Sequence, residues 1–178
     1  MNLQIRPEQK EDHRSVFELI THAFAAEAYS DQTEQFLVER LRKSEAFIPE
    51  LSLVGEYGGE LRGYILLSRI HILAHKKQIP SLALAPVAVH PDYQGVGLGG
   101  QLIRHAHNSA TRLGHRSVIL LGHPGYYPRF GYRPLHEFNL ELPFDAPPEA
   151  CMALELVKGS LAEVSGKVIY PAAFFEEV

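Results

Sequence analysis

Two hydrophobic rhythms alternate along the chain. In NLQIRP, residues 2–7, apolar Leu3 and Ile5 alternate with polar neighbours, which predicts a strand ended by Pro7. Val16, Phe17, Leu19, Ile20, Ala23 and Phe24 then recur at helical spacing, behind Glu8, Glu11 and Asp12, whose charge suits a helix start. A second helix is predicted over SDQTEQFLVERLRKSEA, residues 30–46, with Phe36, Leu37, Val38 and Leu41 as its buried side and Asp31 and Glu34 at capping-box spacing. LSLVGEY and LRGYILLSRIHIL flank Gly58-Gly59, a hairpin signal. SLALAPVAV, residues 81–89, is nearly continuously apolar and predicts a central strand covered on both faces. Pro86 interrupts it, and a residue with no N–H predicts a bulge or an unpaired stretch there.

Past a glycine-rich loop, Leu98, Leu102, Ile103, Ala106, Ala110 and Leu113 form a helical stripe, with Gly114 as the expected C-terminal cap. SVILLG predicts a short buried strand. PGYYPRFG predicts an element of one or two turns ended by Gly131. YRPLHEFNLELP and ACMALELV read as late strands separated by the loop PFDAPPEA, and the apolar tail GKVIYPAAFFEEV is expected to dock on the domain. The order predicts a mixed α/β (α+β) domain around a mostly antiparallel central sheet flanked by helices. One parallel pair is implied, between the strand before the glycine loop and the strand after its helix. With no internal repeat and no linker, residues 1–178 are expected to form a single domain.

Composition narrows the classes. Apolar residues make up 46% and charged residues 21%, an ordinary globular mix that needs no metal or disulfide to fold. The formal net charge of -4, without blocks of like charge, gives no support to a nucleic-acid partner. Cys151 is the one cysteine, which excludes an intrachain disulfide and suits a reducing compartment. The N-terminal residues lack the apolar core of a signal peptide, and no apolar run approaches the roughly 18 residues of a membrane span. A cytoplasmic protein with no membrane partner is the expectation. The ten histidines are scattered and complete no metal-ligand set, so no metal is expected.

The candidate chemistry lies in Gly95-Val96-Gly97-Leu98-Gly99-Gly100, a match to G-x-G-x-x-G. A dinucleotide fingerprint puts its first glycine at the strand end and an acidic residue at the tip of the next strand. Here HPDYQ intervenes after Val89, and the next tip is Leu120-Leu121-Gly122-His123. A P-loop is excluded because no Lys-Ser/Thr follows the glycines. What remains is a helix N-terminus with open amides and little bulk, suited to phosphate. A tight turn without a ligand needs one or two glycines, and this segment has four in six residues.

VAVHPDYQGVGLGGQLI resembles the acetyl-CoA signature of the GNAT acyltransferase superfamily, with Q/R-x-x-G-x-G/A at Gln94 to Gly99. VILLGHPGYYPRFGYRP resembles the family's following strand and short helix, ending in Tyr127-Pro128-Arg129-Phe130-Gly131-Tyr132. The wording PGYYPRFGY and the late Tyr-Pro-Ala-Ala-Phe are most similar to the YhbS-like branch of predicted N-acetyltransferases. The resemblance implies a sheet splayed at its parallel pair, with acetyl-CoA as co-substrate. Pantetheine would lie along the backbone of Val87, Ala88 and Val89, a backbone N–H near Val87 or Ala88 polarising the thioester carbonyl. The pyrophosphate would sit on the amides of Gln94, Gly95, Val96, Gly97, Leu98, Gly99 and Gly100. A small-molecule or peptide amine would attack directly in a ternary complex, and Tyr127 would protonate the departing thiolate. Tyr126 is its rival. No acidic residue stands on the central strand, so Glu27 and His123 are the candidate bases, beside water-relayed deprotonation or an acceptor already neutral. Glu27 and Asp31 would favour a cationic amine. A homodimer stays open, as do a non-catalytic acyl-CoA-binding sensor module and a nucleotide-binding module using the same loop.

Overall fold

Gly58 and Gly59 adopt φ of 67° and 85°, the paired positive values that a two-residue hairpin turn demands, and they join strand β2 (Ser52–Tyr57) to β3 (Glu60–Ala74). The computed structural model describes residues 3–28 and 30–176. The same turn recurs without glycine: His75 and Lys76 take φ of 47° and 64° and return the chain as β4 (Lys77–Val89). The central strand therefore begins earlier than the apolar run 81–89, because ladder pairing with β3 carries its polar start. Ile65 pairs with Val87 and Leu67 with Leu84, so β4 holds one residue more than β3 across the Ala85–Pro86 step, a cis peptide. This is the bulge expected at Pro86.

The sheet runs β1 (Gln4–Pro7), β2, β3, β4, β5 (Ser117–Leu121), β8 (Cys151–Glu155) and β6 (Arg133–Pro134). The β4–β5 contact is parallel, and its neighbours in this order are antiparallel. β9 (Gly166–Ile169) pairs with residues 71–73 of β3 and runs parallel to the two-residue β7 (Leu140–Glu141). The tail thus docks as a strand. YRPLHEFNLELP departs from the expected strand. It forms only β6 and β7, split by a 3-10 turn over Leu135–Phe138 that buries Leu135 and Phe138.

Helices cover both faces. On one, Val16, Leu19 and Ile20 of α1 (His13–Phe24) and Val38 and Leu41 of α2 (Glu34–Arg42) meet Tyr64, Leu66 and Ala88. α2 is shorter than its pattern, and the capping box does not form: Thr33 is the N-cap, while Asp31 Oδ1 accepts from the Thr33 N–H and hydroxyl at 2.9 and 2.7 Å. On the other face, α3 (Leu98–Arg112) sets Leu98, Leu102, Ile103, Ala106 and Ala110 against Leu53, Ile65, Leu67, Val118 and Leu120. Each buried Leu or Ile contributes about 1.5–3 kcal/mol. Gly63 makes this close seat: a Cβ there would collide with Leu98 and Leu102. Gly114 caps α3 with φ of 87°, but Leu113, the last residue of the predicted stripe, is 47% exposed.

Buried polar links fix α2 to the sheet. The Arg42 guanidinium forks onto the Glu8 carboxylate, which also accepts from Ser52 Oγ at 2.7 Å, and Ser52 Oγ lies 2.8 Å from Tyr64 Oη. These links satisfy the Arg42, Glu8, Ser52 and Tyr64 side chains, as a low-dielectric interior requires.

Candidate active site

β4 and β5 are registered only at Leu82–Val118 and Ala83–Ile119. Beyond these pairs β4 continues to Val89 and β5 to Leu121 with no further ladder, so the strands diverge into a gap. The orientation of the β4 backbone there follows from antiparallel alternation. The His90 N–H donates to the Arg62 carbonyl of β3 at 2.9 Å, so Ala88, two residues back and paired with Tyr64, also turns to β3. Val87 and Val89 turn their N–H and C=O groups toward the gap. Ala88 therefore does not present its N–H there, which leaves Val87 as the donor of the pair proposed from sequence. The Val89 carbonyl accepts from Gln94 Nε2 at 3.2 Å, so the Gln94 side chain fastens the loop to the strand end.

At the same end of β4 the loop enters α3. Gly95 and Gly97 take φ of 77° and 86°, and Gly97 is the N-cap of α3. These left-handed positions suit glycine because other L-residues are strained there. The Gln94 N–H donates to the Pro91 carbonyl at 3.3 Å, which removes Gln94 from the set of open amides expected from sequence. Among the described residues no backbone carbonyl accepts from the N–H groups of residues 95–100. A Cβ at Gly95 or Gly97 would meet nothing within 4 Å. Six amides at the positive end of a fifteen-residue helix, with open space before them, form an anion cradle.

The two tyrosines of PGYYPRFGY separate. Tyr127 opens a 3-10 turn that ends at Gly131, in the left-handed region at φ of 94°. Its ring packs edge-on against Tyr126 and Tyr132 and lies across Gly122, just past β5, where a Cβ would overlap the ring. Burial pushes the Tyr127 phenol well above its ordinary pKa, so it stays protonated through neutral pH. The Tyr126 hydroxyl stands beside Gly99, 3.1 Å from where a Cβ would be, and Val89 flanks the same spot. Two cations missed by the motif frame this end. Arg104 stacks over Phe130 at 5.1 Å and reaches Gly100, and Arg129 stacks over Tyr126 at 4.7 Å. Arg104 was legible as the residue one helical turn past Gly100; Arg129 was inside the motif itself.

The two candidate bases come together. His123 Nε2 lies 3.6 Å from Glu27 Oε2, joining the end of α1 to the segment after β5, and the His123 carbonyl accepts from Tyr126 N–H at 3.0 Å. Opposite α3, a cavity of about 330 Å³ opens between the start of α2, residues 83–85 of β4, Leu120 and Leu121 of β5, and the C-terminal segment. Asp31 lines it, whereas Glu27 does not. Among the described residues no group of three His, Cys, Asp or Glu could hold a metal ion, and no helix is long and apolar enough to cross a membrane.

Comparison with known proteins gives this geometry a context. The acetyltransferase (GNAT) domain family matches residues 4–135. The uncharacterized N-acetyltransferase YjhQ of Escherichia coli K12 is 33% identical over 162 residues, covering 89% of this chain and 87% of its own. A crystal structure of the GNAT family N-acetyltransferase YhbS from Escherichia coli in complex with CoA superposes with a TM-score of 0.89 at 26% identity, over 100% of this chain and 94% of that one. A GNAT family acetyltransferase from Brucella melitensis in complex with acetyl-CoA gives 0.80 at 32% identity, over 97% and 98%. The splayed parallel pair and the glycine-built helix start thus stand in a chain that belongs to the GNAT acetyltransferase family.

Proposed function

We propose that the protein transfers an acetyl group from acetyl-CoA to a primary amine, with both substrates bound together and the whole chain, residues 1–178, acting as one domain. The observation that carries this reading is the gap between β4 and β5 ending at six amides that donate to no backbone carbonyl among the described residues. Val87 and Val89 are suited to bond pantetheine through their backbone groups. The N–H groups of Gly95, Val96, Gly97, Leu98, Gly99 and Gly100, with Arg104 and Arg129 nearby, are suited to the pyrophosphate. The complexes of the Escherichia coli and Brucella relatives with CoA and acetyl-CoA support the same ligand here.

In this reading the amine nitrogen attacks the thioester carbonyl carbon. The new C–N bond forms, the carbonyl oxygen takes developing charge against the Val87 N–H, and the C–S bond breaks. The amine's proton passes to His123, oriented by Glu27, and Tyr127 donates a hydrogen bond or proton to the thiolate. Acetyl transfer then yields an amide and CoA. The single cysteine, Cys151, supports a reducing, cytoplasmic setting.

Thermal-shift titration with acetyl-CoA, CoA, NAD and ATP tests the ligand. Acetyl-CoA and CoA are expected to stabilise the protein, by about 2.7 kcal/mol at a hundredfold excess over the dissociation constant. A shift with NAD and none with CoA would overturn the reading. Thiol release from acetyl-CoA across a panel of amines separates a transferase from a sensor that binds without turnover.

A further inference from the structure

We infer that the cavity beside the splay receives a second, positively charged group of the acceptor, so that the acceptor is a diamine or an amine with a cationic tail. This rests on the transferase reading above and names its substrate class. The cavity holds about 330 Å³, within the range of small-ligand pockets. It reaches Ala85 and Leu121, on the two strand ends that diverge, so a molecule lodged in it lies next to the gap.

Its wall carries one unmet electrostatic demand. Glu34, at the start of α2, accepts from Ser30 Oγ at 2.5 Å through one carboxylate oxygen. The other oxygen is sealed from solvent and has no hydrogen-bond partner among the described residues. A carboxylate oxygen in that state is costly, and an ammonium entering the cavity would satisfy it with a charge-assisted hydrogen bond once the Glu34 side chain turns that oxygen to the cavity. The wall's other charges are Asp31 and Arg40, so two carboxylates face one guanidinium and the wall is net negative. Asp31 Oδ1 is held by Thr33, and Arg40 donates through Nε to the Ala173 carbonyl at 2.9 Å and stands 4.0 Å from Glu176.

The opposite wall is aromatic. Phe144, Tyr170 and Phe174 line the cavity, with the Tyr170 ring 4.8 Å edge-on from each of the other two. Rings and a carboxylate together favour an organic cation, because the ring quadrupole and the anion act in the same direction. A neutral tail would gain the rings and leave Glu34 unmet. An anionic tail would face Asp31 and Glu34 with like charge.

Calorimetry on the CoA-saturated protein tests this with three chain-matched series: α,ω-diaminoalkanes, monoaminoalkanes and ω-aminoalkanoates. The best diamine is expected to bind at least about tenfold tighter than its matched monoamine, and Glu34→Gln is expected to erase that gap. Unchanged CoA affinity of the Glu34→Gln protein serves as the check on its fold, and Glu34→Asp is expected to restore part of the gap. No diamine binding, tighter binding of monoamines or aminoalkanoates, or a gap that survives Glu34→Gln would each overturn the inference. Thiol release, read on the same ligands with acetyl-CoA, keeps the two readings apart. Tight diamine binding without thiol release sinks the transferase reading alone, and equal release with all three series sinks the cationic subsite alone.

Discussion

The Cδ2–Cε2 edge of the Tyr127 ring lies against Gly122, and the absence of a side chain at Gly122 is what lets the ring lie there. Gly122 has no left-handed φ, so alanine is tolerated by its backbone, and the added methyl acts chiefly on the ring, with a lesser tight contact to Leu120. Gly122→Ala is expected to cost about 1–3 kcal/mol through overpacking and to lower turnover by displacing Tyr127. Acetyl-CoA affinity should change less than turnover. Denaturant midpoints with steady-state kinetics check this; wild-type kcat in Gly122→Ala would show that the ring's seat is irrelevant to chemistry.

Tyr127→Phe removes the hydroxyl and keeps the ring and its contacts with Tyr126 and Tyr132. The phenol's raised pKa makes complete proton transfer uphill, so its help comes as a strong hydrogen bond to the developing thiolate. Single-turnover rates are expected to fall about a hundredfold with little change in acetyl-CoA affinity. Tyr126→Phe, whose hydroxyl stands beside Gly99, should act more mildly on the rate. A wild-type rate for Tyr127→Phe would transfer the role to Tyr126 or water.

Two glycines of one loop carry different duties. Gly97→Ala forces a side chain into φ of 86° and is expected to lower stability by about 1–2 kcal/mol. Gly99 is helical, with no positive φ, so Gly99→Val is expected to lower stability only modestly, through crowding of the Tyr126 hydroxyl and Val89, and to weaken CoA binding at least about tenfold by blocking close approach. Paired melting and CoA-binding measurements decide, and equal CoA affinity in Gly99→Val and wild type would remove Gly99 from the ligand site.

The Glu27–His123 pair calls for a kinetic test that depends on the acceptor's own pKa. His123→Asn is expected to lower kcat/KM about a hundredfold for a basic alkylamine and far less for a weakly basic arylamine, which needs no deprotonation before attack. Glu27→Gln should give a smaller loss in the same pattern. Equal losses on both amines would mean that His123 only shapes the site.

His107 ties stability to pH. Its ring shares a 2.8 Å hydrogen bond with Tyr132, and burial lowers its pKa to about 4. In the unfolded chain it titrates near 6.5, so between about 6.5 and 4 the unfolded state binds the proton and the folded state does not. The group costs nothing above that window, and stability falls as pH drops through it, by roughly 3 kcal/mol at most at 1.36 kcal/mol per pH unit. His107→Gln keeps a polar partner for Tyr132 and should flatten this part of the profile. Melting curves from pH 7 to 4 check it, and identical slopes for both proteins would exclude His107 as the source.

Much of the fold was legible because it is written in local rules. The Gly58-Gly59 turn, the α3 stripe, the Gly114 and Gly131 stops and the bulge at Pro86 each follow from a few neighbouring residues, since backbone sterics and helical spacing act over that range. The loop of four glycines was readable for the same reason. The second hairpin was not, because His75 and Lys76 adopt a turn that glycine-based rules do not flag, held by the long β3–β4 ladder. Nor could the chain alone say that Ala88 faces β3 while Val87 faces the gap, since alternation gives two phases and only the pairing partner selects one. The meeting of Glu27 with His123, and of Glu34 with the aromatic wall of the C-terminal segment around one cavity, joins residues distant in sequence. Such contacts carry no local signature: their free energy comes from the packing of whole elements, and it exists only once the sheet has fixed which ends lie side by side.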